Sequence, residues 1–125
     1  KAIDNETIHL FGDGRILRDY LYIDDLIDSL ITVALSENAY GEVYNVGTGV
    51  PLSFLELANK IIAISGSGKI DYTEFTTERK ALEPGDYYAD ITKIKNTIGW
   101  EPKIPLDEGI KKTINYYKSN KKYYW

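Results

Sequence analysis

The residues best suited to hold an anionic ligand are few. Only three of the 15 basic residues are arginines: Arg15, Arg18 and Arg79. The planar guanidinium of Arg, unlike the Lys ammonium, matches phosphate or carboxylate oxygens in a bidentate way. Arg18 lies where a glycine-containing loop enters a predicted strand, and Asp19 follows it, so its guanidinium can be both anchored and aimed. The residues alone leave two interpretations of Arg18 open: a surface ion pair and an anion ligand.

Gly47-Thr48-Gly49 is placed between a predicted strand and a predicted helix. It imitates the start of a dinucleotide-binding fingerprint, in which glycines let a pyrophosphate approach a helix N-terminus. Leu52 occupies the third glycine position, Pro51 lies in the turn, and the expected acidic residue at the end of the next strand is missing. We therefore interpret these glycines as a turn that needs positive φ.

Two other patterns have a simpler explanation than a functional site. Tyr117 and Lys121 form a literal Tyr-x-x-x-Lys, which can lower a tyrosine pKa, but with 11 tyrosines in the chain we attribute it to chance. Asp24-Asp25-x-x-Asp28 resembles a metal cluster, yet short acidic side chains also cap helices, and we favour capping. The sequence thus predicts no catalytic, cofactor-binding or metal-ligating residue.

Composition limits the classes of function. The 125 residues predict one domain over 1–125, with flexible ends at 1–7 and 119–125. There is no Cys or Met, and because the chain starts with Lys1 we expect a piece of a longer polypeptide. Residues 1–62 carry 4 basic and 10 acidic side chains (−6), and 63–125 carry 11 and 9 (+2). Neither half has the basic excess of a nucleic-acid-binding protein, and no apolar run is long enough for a membrane span.

The elements that must position these residues follow from periodicity and turn signals. The spacing predicts strands over 8–11, 19–23, 42–46 and 70–72. It also predicts an exposed loop at 12–17, which we interpret as a hairpin tip. Asp24 and Asp25 are predicted to open and cap a helix through Leu35. A capping box of Ser53 and Glu56 opens the next helix. Residues 73–86 form a predicted long loop. Two further helices are predicted, one over 91–98 that Asp90 and Thr92 cap, and one from 106 to about 117.

Three stretches in this order resemble the C-terminal part of the NAD-dependent nucleotide-sugar epimerases and dehydratases, within the extended short-chain dehydrogenase/reductase family. They are Gly12-Asp13-Gly14 with Arg18-Asp19-Tyr20-Leu21-Tyr22-Ile23-Asp24-Asp25, then Gly41-Glu42-Val43-Tyr44-Asn45-Val46-Gly47-Thr48-Gly49, and Gly85-Asp86-Tyr87-Tyr88-Ala89-Asp90 with Gly99-Trp100-Glu101-Pro102. The resemblance implies a small α/β lobe with a few short strands and about four helices, detached from a missing Rossmann domain.

The resemblance also implies a binding site. Arg18 would clamp the diphosphate of a nucleotide sugar, and Asp86 matches the acidic residue that touches the nucleotide. Many relatives place a second diphosphate-binding Arg three residues before the Asp86 position, where this chain has Glu83. Arg79 lies on the same predicted loop, and it can replace that ligand only if the loop folds back.

The implied function is the nucleotide-sugar-binding lobe of an NAD-dependent epimerase/dehydratase, with a UDP-sugar 4-epimerase of the UDP-glucose 4-epimerase kind favoured. A 4,6-dehydratase or decarboxylase parent is the alternative within the family, and a ligand-free interaction module on a degenerate domain is the alternative outside it. NAD would bind the missing Rossmann domain, so we expect the chain alone to be inactive. We further expect a cytoplasmic protein that self-associates through the surface meant for that domain.

Overall fold

The computed structural model describes residues 1–124 and divides the chain into two compact units. The first unit contains Lys1–Ile16, Ser53–Gly85 and the residues from Asp107 onward. The second contains Leu17–Leu52 and Asp86–Leu106. Helices and strands are present in both sequence halves, and the predicted small α/β architecture is confirmed.

Nine regular elements follow one another along the described chain. The strands are β1 (Thr7–Phe11), β2 (Leu17–Asp19), β3 (Pro51–Ser53) and β4 (Lys69–Thr73). The helices are α1 (Ile23–Leu35), α2 (Phe54–Ser65), α3 (Thr77–Leu82), α4 (Thr92–Ile98) and α5 (Leu106–Asn120). Short 3-10 turns cover Ala2–Asp4, Glu37–Ala39 and Lys121–Tyr123. The helix count is one above the prediction, because α3 forms within the segment 73–86 that we predicted as a loop.

In the first unit, β1 and β4 form a parallel pair whose register runs from Thr7 opposite Lys69 to Phe11 opposite Thr73. Buried apolar side chains from β1, α2 and α5 form its core: Leu10, Ala58, Ile110 and Ile114. The predicted hairpin tip at 12–17 is therefore wrong. The partner of β1 is β4, and a parallel partner requires a long crossover instead of a tight turn.

In the second unit, β2 pairs with β3, and α1 and α4 supply the helices. Ile94 of α4 is fully buried, and Trp100 is 3% exposed. The 3-10 turn Glu37–Ala39 contributes the buried Ala39. This small core fixes the segments on either side of α4, including residues 86–89, which reach the candidate site.

Two predicted strands differ from the structure. The strand predicted over 19–23 is wrong in its bounds, because β2 ends at Asp19 and α1 already begins at Ile23. The strand predicted over 42–46 is wrong within the described residues, where this segment lies outside the helices and strands. A β-propensity pattern reports a residue's fit to a pleated surface, and it needs a neighbouring strand to become a ladder.

Local sequence signals predicted both ends of α2 correctly, but not the start of α1. The predicted capping box at α2 is confirmed, since Ser53 Oγ accepts from the Glu56 amide (3.1 Å) and Glu56 Oε2 accepts from the Ser53 amide (2.9 Å). Gly66 ends α2 in the left-handed region at φ 78°. The predicted capping of α1 by Asp24 and Asp25 is wrong: Tyr22 is its N-cap residue, and both aspartates lie inside the first turn.

Both chain ends contain regular structure. Ala2–Asp4 forms a 3-10 turn with Ala2 buried, and Lys121–Tyr123 forms another directly after α5. Trp125, the last residue of the segment 119–125 that we predicted to be flexible, lies outside the described residues. No helix among residues 1–124 is both long and apolar enough to cross a membrane.

Candidate functional site

Arg18 and Asp86 lie on adjoining segments of the second unit. Leu17, directly before Arg18 in β2, donates its amide to Asp86 Oδ1 at 2.8 Å. Its carbonyl accepts from the Tyr87 amide (3.1 Å) and from Arg18 Nη1 (2.8 Å). Arg18 and Tyr87 are paired in an isolated parallel bridge. A backbone link thus holds the guanidinium-bearing strand beside the segment that carries Asp86.

Asp19 binds the surrounding loops to the strand that carries Arg18. Its carboxylate accepts hydrogen bonds from the amides of Thr48 (2.8 Å), Gly49 (2.9 Å) and Ala89 (3.2 Å), and from the Thr48 hydroxyl. Burial alone would raise the pKa of Asp19. The hydrogen bonds from Thr48, Gly49 and Ala89 outweigh it and hold the pKa below the ordinary 3.8. Asp19 is therefore a carboxylate at neutral pH and organises two loops.

The Gly47-Thr48-Gly49 turn does not fit a dinucleotide. The amides of Thr48 and Gly49, which a pyrophosphate would need, already donate to the Asp19 carboxylate. A Cβ built on Gly47 would come within 2.6 Å of Ala89 Cβ and would also meet the Asp19 carboxylate. The turn interpretation therefore agrees with the contacts. The predicted positive φ holds for Gly49 (φ 70°), whereas close packing accounts for Gly47.

Arg79 belongs to the first unit, on the short helix α3. Its guanidinium lies 4.0 Å from the centre of the Phe11 ring, and this ring also packs against Phe75. Such a cation–π contact holds an exposed guanidinium by about 0.5–1 kcal/mol. Glu83, at the position where many relatives have Arg, is the C-cap residue of α3.

Asp25 and Asp28 of α1 accept hydrogen bonds from a distant segment, a role that the sequence did not predict. Asp25 is 3% exposed, and its two carboxylate oxygens accept from the amides of Lys103 (3.1 Å) and Ile104 (2.9 Å). Asp28 accepts from Trp100 Nε1 at 3.1 Å and from Lys103 Nζ at 3.2 Å. Among residues 1–124, no group of three His, Cys, Asp or Glu side chains is arranged to hold a metal ion. These aspartates instead bind the segment 100–104 to α1.

Both side chains of the Tyr-x-x-x-Lys pattern have contacts within the first unit. Lys121 Nζ is paired with the Asp4 carboxylate. The Tyr117 ring packs edge-on against Tyr124, with ring centres 4.9 Å apart. Both side chains therefore contribute to packing at the end of α5 in the first unit.

An apolar cleft of about 330 Å³ opens in the second unit beside Tyr20 and Thr48. Its far wall is the segment Pro102–Leu106, which Asp25 holds in place. Burial raises the pKa of the Tyr20 hydroxyl, and the positive charge of Arg18 partly opposes that rise. The electrostatic influence of Arg18 thus extends to the strand end that borders this cleft.

Sequence reasoning overlooked Asp19 and Tyr87 as parts of the site. The available signal was position: Asp19 adjoins Arg18, and Tyr87 adjoins Asp86. An aspartate after an arginine at a strand end is available to accept amides from neighbouring loops. Only the fold shows which loops those are.

The chain is similar to nucleotide-sugar dehydratases and epimerases. The family profile of GDP-mannose 4,6 dehydratase matches residues 1–113. The Haloferax volcanii low-salt glycan biosynthesis protein Agl12 is 38% identical over 117 residues, which are 94% of this chain and 36% of that protein. The chain therefore spans about a third of the length of such relatives.

Two solved structures share both sequence and fold with the chain. The UDP-glucose 4-epimerase of Thermotoga maritima, determined with UDP-glucose, is 32% identical with a TM-score of 0.84, covering 95% of this chain and 37% of that one. The dTDP-glucose 4,6-dehydratase of Bacillus anthracis, determined with NAD, is 30% identical with a TM-score of 0.80, covering 98% and 38%. The ordered motifs, the α/β fold and the match over residues 1–113 show that the chain belongs to the GDP-mannose 4,6 dehydratase family of nucleotide-sugar epimerases and dehydratases.

Proposed function

We propose that this chain is the nucleotide-sugar-binding part of an NAD-dependent epimerase/dehydratase and that Arg18 binds the ligand's diphosphate. The observation that carries the proposal is the linked position of Arg18 and Asp86, joined through both backbone groups of Leu17. A guanidinium forms strong, charge-assisted hydrogen bonds to phosphate oxygens. Asp86 adds an acceptor beside it for a hydroxyl of the nucleotide.

The geometry of Asp86 supports this division of roles. Among the residues that the structure describes, the hydrogen bonds to Asp86 involve Oδ1 alone. Oδ2 is therefore available to accept from a ligand hydroxyl, while Oδ1 keeps the segment 86–89 beside β2. The side chain of Asp86 is exposed, as a ligand contact requires.

Arg18→Ala tests the proposal directly. NMR titration of the chain with UDP-glucose should shift signals around Arg18 and Asp86. In the variant, the affinity should fall about tenfold to a hundredfold, because a hydrogen bond to a charged group contributes about 1.5–3 kcal/mol. Arg18→Lys should recover only part of the loss, since an ammonium cannot form the fork. Arg15→Ala is the matched control, because Arg15 is an exposed arginine paired with Asp13 in the first unit.

Shifts that are the same in the Arg18→Ala variant and in the parent chain would contradict the role of Arg18. A chain that shows no shifts with UDP-glucose, dTDP-glucose or a GDP-sugar would favour the other candidate, a ligand-free interaction module. Glu83 supports that candidate, because a carboxylate at this position repels a phosphate.

Arg79 is our proposed second diphosphate ligand, in place of the arginine that Glu83 replaces. Binding a phosphate would require Arg79 to leave the Phe11 ring, at a cost of about 0.5–1 kcal/mol that two charge-assisted hydrogen bonds exceed. Unchanged nucleotide-sugar affinity in Arg79→Ala would reject this role and leave that of Arg18 intact.

The reaction that we favour is 4-epimerisation of a UDP-sugar, as in the Thermotoga maritima relative. A 4,6-dehydratase is the second candidate, favoured by the matched family profile and by the Bacillus anthracis relative. Mass spectrometry separates them, since epimerisation conserves the mass of the sugar and dehydration removes one water. The cytoplasmic location remains a prediction from the family resemblance.

A further inference from the structure

The last turns of α5 and the 3-10 turn behind it combine exposed lysines with exposed tyrosines. Residues 109–124 contain five lysines and no Asp or Glu, although the whole chain has a net charge of −4. Three tyrosines in this region are 50–72% exposed, and two of the lysines beside them are exposed as well. We call these five residues the basic–aromatic end: Tyr116, Lys118, Lys122, Tyr123 and Tyr124.

The positive charge of this end is only partly neutralised. Lys112 pairs with Glu108 at 2.9 Å, and Lys121 pairs with the Asp4 carboxylate. Within the part of the chain that the structure describes, the two lysines of the basic–aromatic end form no ion pair. Because the Debye length is about 8 Å at physiological salt, a ligand at this end responds to these local charges more than to the net charge of the chain.

The tyrosine rings are fixed against one another. The Tyr124 ring packs edge-on against the rings of Tyr117 and Tyr116, with ring centres 4.9 and 6.2 Å apart. The hydroxyl groups of Tyr116 and Tyr124 are hydrogen-bonded at 3.0 Å. Lys122 Nζ lies 4.8 Å from the centre of the Tyr123 ring. The ring faces are therefore partly covered, which leaves ring edges and hydroxyl groups for contact with a ligand.

We propose that the basic–aromatic end docks the first unit on the surface of an anionic phospholipid membrane. Lysine ammonium groups are attracted to acidic headgroups, and their aliphatic stems can lie along apolar surface. Tyrosine combines an apolar ring with a polar hydroxyl, which suits the boundary between headgroups and acyl chains. Helix α5 buries Ile110 and Ile114 within its own unit, so it has no apolar side to insert and the contact stays superficial.

A folded protein partner fits this end less well. The nine residues 116–124 span about 15 Å, and a width of about 10 Å gives an area of about 150 Å². A stable interface covers about 800 Å² on each partner, which is several times more. A membrane surface needs no such minimum area, since each lysine and each aromatic ring adds its own contribution to binding.

Single-stranded nucleic acid also binds lysines and aromatic residues, but it stacks its bases on open ring faces. Here the Lys122 ammonium lies over the Tyr123 ring, and edge-on contacts occupy the rings of Tyr116 and Tyr124. This arrangement favours the membrane over a nucleic acid.

Co-sedimentation with lipid vesicles tests the proposal. The probes are vesicles of phosphatidylcholine with about 30% phosphatidylserine and vesicles of phosphatidylcholine alone. We expect the chain to sediment with the anionic vesicles at about 0.1 M salt and to be released at about 0.5 M salt, because salt screens the attraction. With the neutral vesicles it should stay in solution.

Matched variants locate the contact. Lys118→Gln combined with Lys122→Gln should lower the affinity for anionic vesicles about twentyfold to thirtyfold, since each lysine near such a surface contributes about fivefold. Lys69→Gln combined with Lys80→Gln removes the same charge at exposed positions of β4 and α3, and its affinity should stay within about twofold. Tyr123→Ala should weaken binding at unchanged charge, because it removes a ring from the interface.

Absence of sedimentation with the anionic vesicles at low salt would overturn the proposal, and so would equal affinities of the two double variants. Unchanged binding of Tyr123→Ala would overturn the role of the tyrosines. A poly-glutamate peptide or a single-stranded oligonucleotide that binds the chain more tightly than the anionic vesicles, and is lost in the Lys118→Gln and Lys122→Gln variant, would assign this end to another anion and reject the membrane.

The outcome is independent of the proposed function. Arg18 belongs to the second unit, whereas the basic–aromatic end belongs to the first. The NMR shifts expected with UDP-glucose should therefore be the same in the Lys118→Gln and Lys122→Gln variant. Sedimentation of Arg18→Ala with anionic vesicles should likewise match that of the unchanged chain, so either proposal can fail without the other.

Discussion

At the scale of single residues, one carboxylate organises the candidate site. Asp19 receives the amides of Thr48, Gly49 and Ala89, so the loops on both sides of β2 depend on its charge. The neighbouring Arg18 is held through Leu17 and Tyr87. The residue proposed to bind the ligand and the residue that shapes its surroundings are therefore adjacent in sequence and different in role.

Replacing Asp19 by Asn should destabilise the protein in a pH-dependent way. The Asn side chain has only one oxygen to accept hydrogen bonds, and its NH₂ group would face the donors around it. We therefore expect the free energy of unfolding to fall by about 2 kcal/mol at pH 7. Because the folded pKa lies below 3.8, the carboxylate stabilises fully above that pH, and its contribution is lost as the pH falls through the folded pKa. Urea unfolding between pH 7 and pH 2 measures both effects.

The difference in the free energy of unfolding between the unchanged protein and Asp19→Asn should accordingly shrink below pH 3.8. Asp24→Asn, an exposed change in the first turn of α1, should cost no more than about 0.5 kcal/mol and serves as the control. If this difference in the free energy of unfolding stayed constant down to pH 2, the negative charge assigned to Asp19 would be contradicted.

At the scale of elements, α1 is bound to the segment 100–104 by the buried carboxylate of Asp25 and the partly exposed carboxylate of Asp28. Gly99 ends α4 in the left-handed region, and Trp100 then enters the core with its Nε1 donating to Asp28. The Gly-Trp-Glu-Pro motif thus marks the place where a chain segment returns to α1. Its conformation follows from tertiary hydrogen bonds more than from local preference.

Asp25→Ala should loosen this connection. Two amides lose their buried acceptor, and we expect about 2–3 kcal/mol less stability. The emission of Trp100 should shift to longer wavelength as water reaches its ring. Fluorescence and urea unfolding give the two readouts. Asp24→Ala, one residue earlier and exposed, should leave both nearly unchanged; an equal effect of both changes would mean that helix charge, and not the buried acceptor, is responsible.

At the scale of the whole molecule, the chain contains part of what its relatives contain. It spans about a third of their length, and the one turn that imitates a dinucleotide site is occupied by Asp19. Under the proposed function, NAD would bind polypeptide outside the matched region.

Calorimetry with NAD tests the assignment. The chain alone should give no heat of binding, because the amides of Thr48 and Gly49 already donate to an internal anion. A chimera of the chain with the remaining part of the Bacillus anthracis dTDP-glucose 4,6-dehydratase, whose structure was determined with NAD, should bind NAD and provides the positive control. A micromolar affinity of the isolated chain for NAD would show that this division of labour is wrong.

Local chemistry was sufficient for several features of the chain. The capping box at Ser53, the glycine end of α2 and the apolar periodicity of α5 depend on residues within one or two turns of one another, and all were predicted. The ordered motifs likewise identified the family. These signals are short in range, so a linear reading captures them.

Tertiary structure decided the remaining features, because they depend on partners far away in sequence. Asp25 looks like a helix cap until its acceptor role toward residues 103 and 104 is seen, 78 and 79 positions later. The segment 42–46 has the composition of a strand, but a strand exists only beside another strand. The sequence by itself determined four of the five helices of the described chain and the family, whereas the fold decided which carboxylates are buried and which apolar side chains of α1 remain exposed.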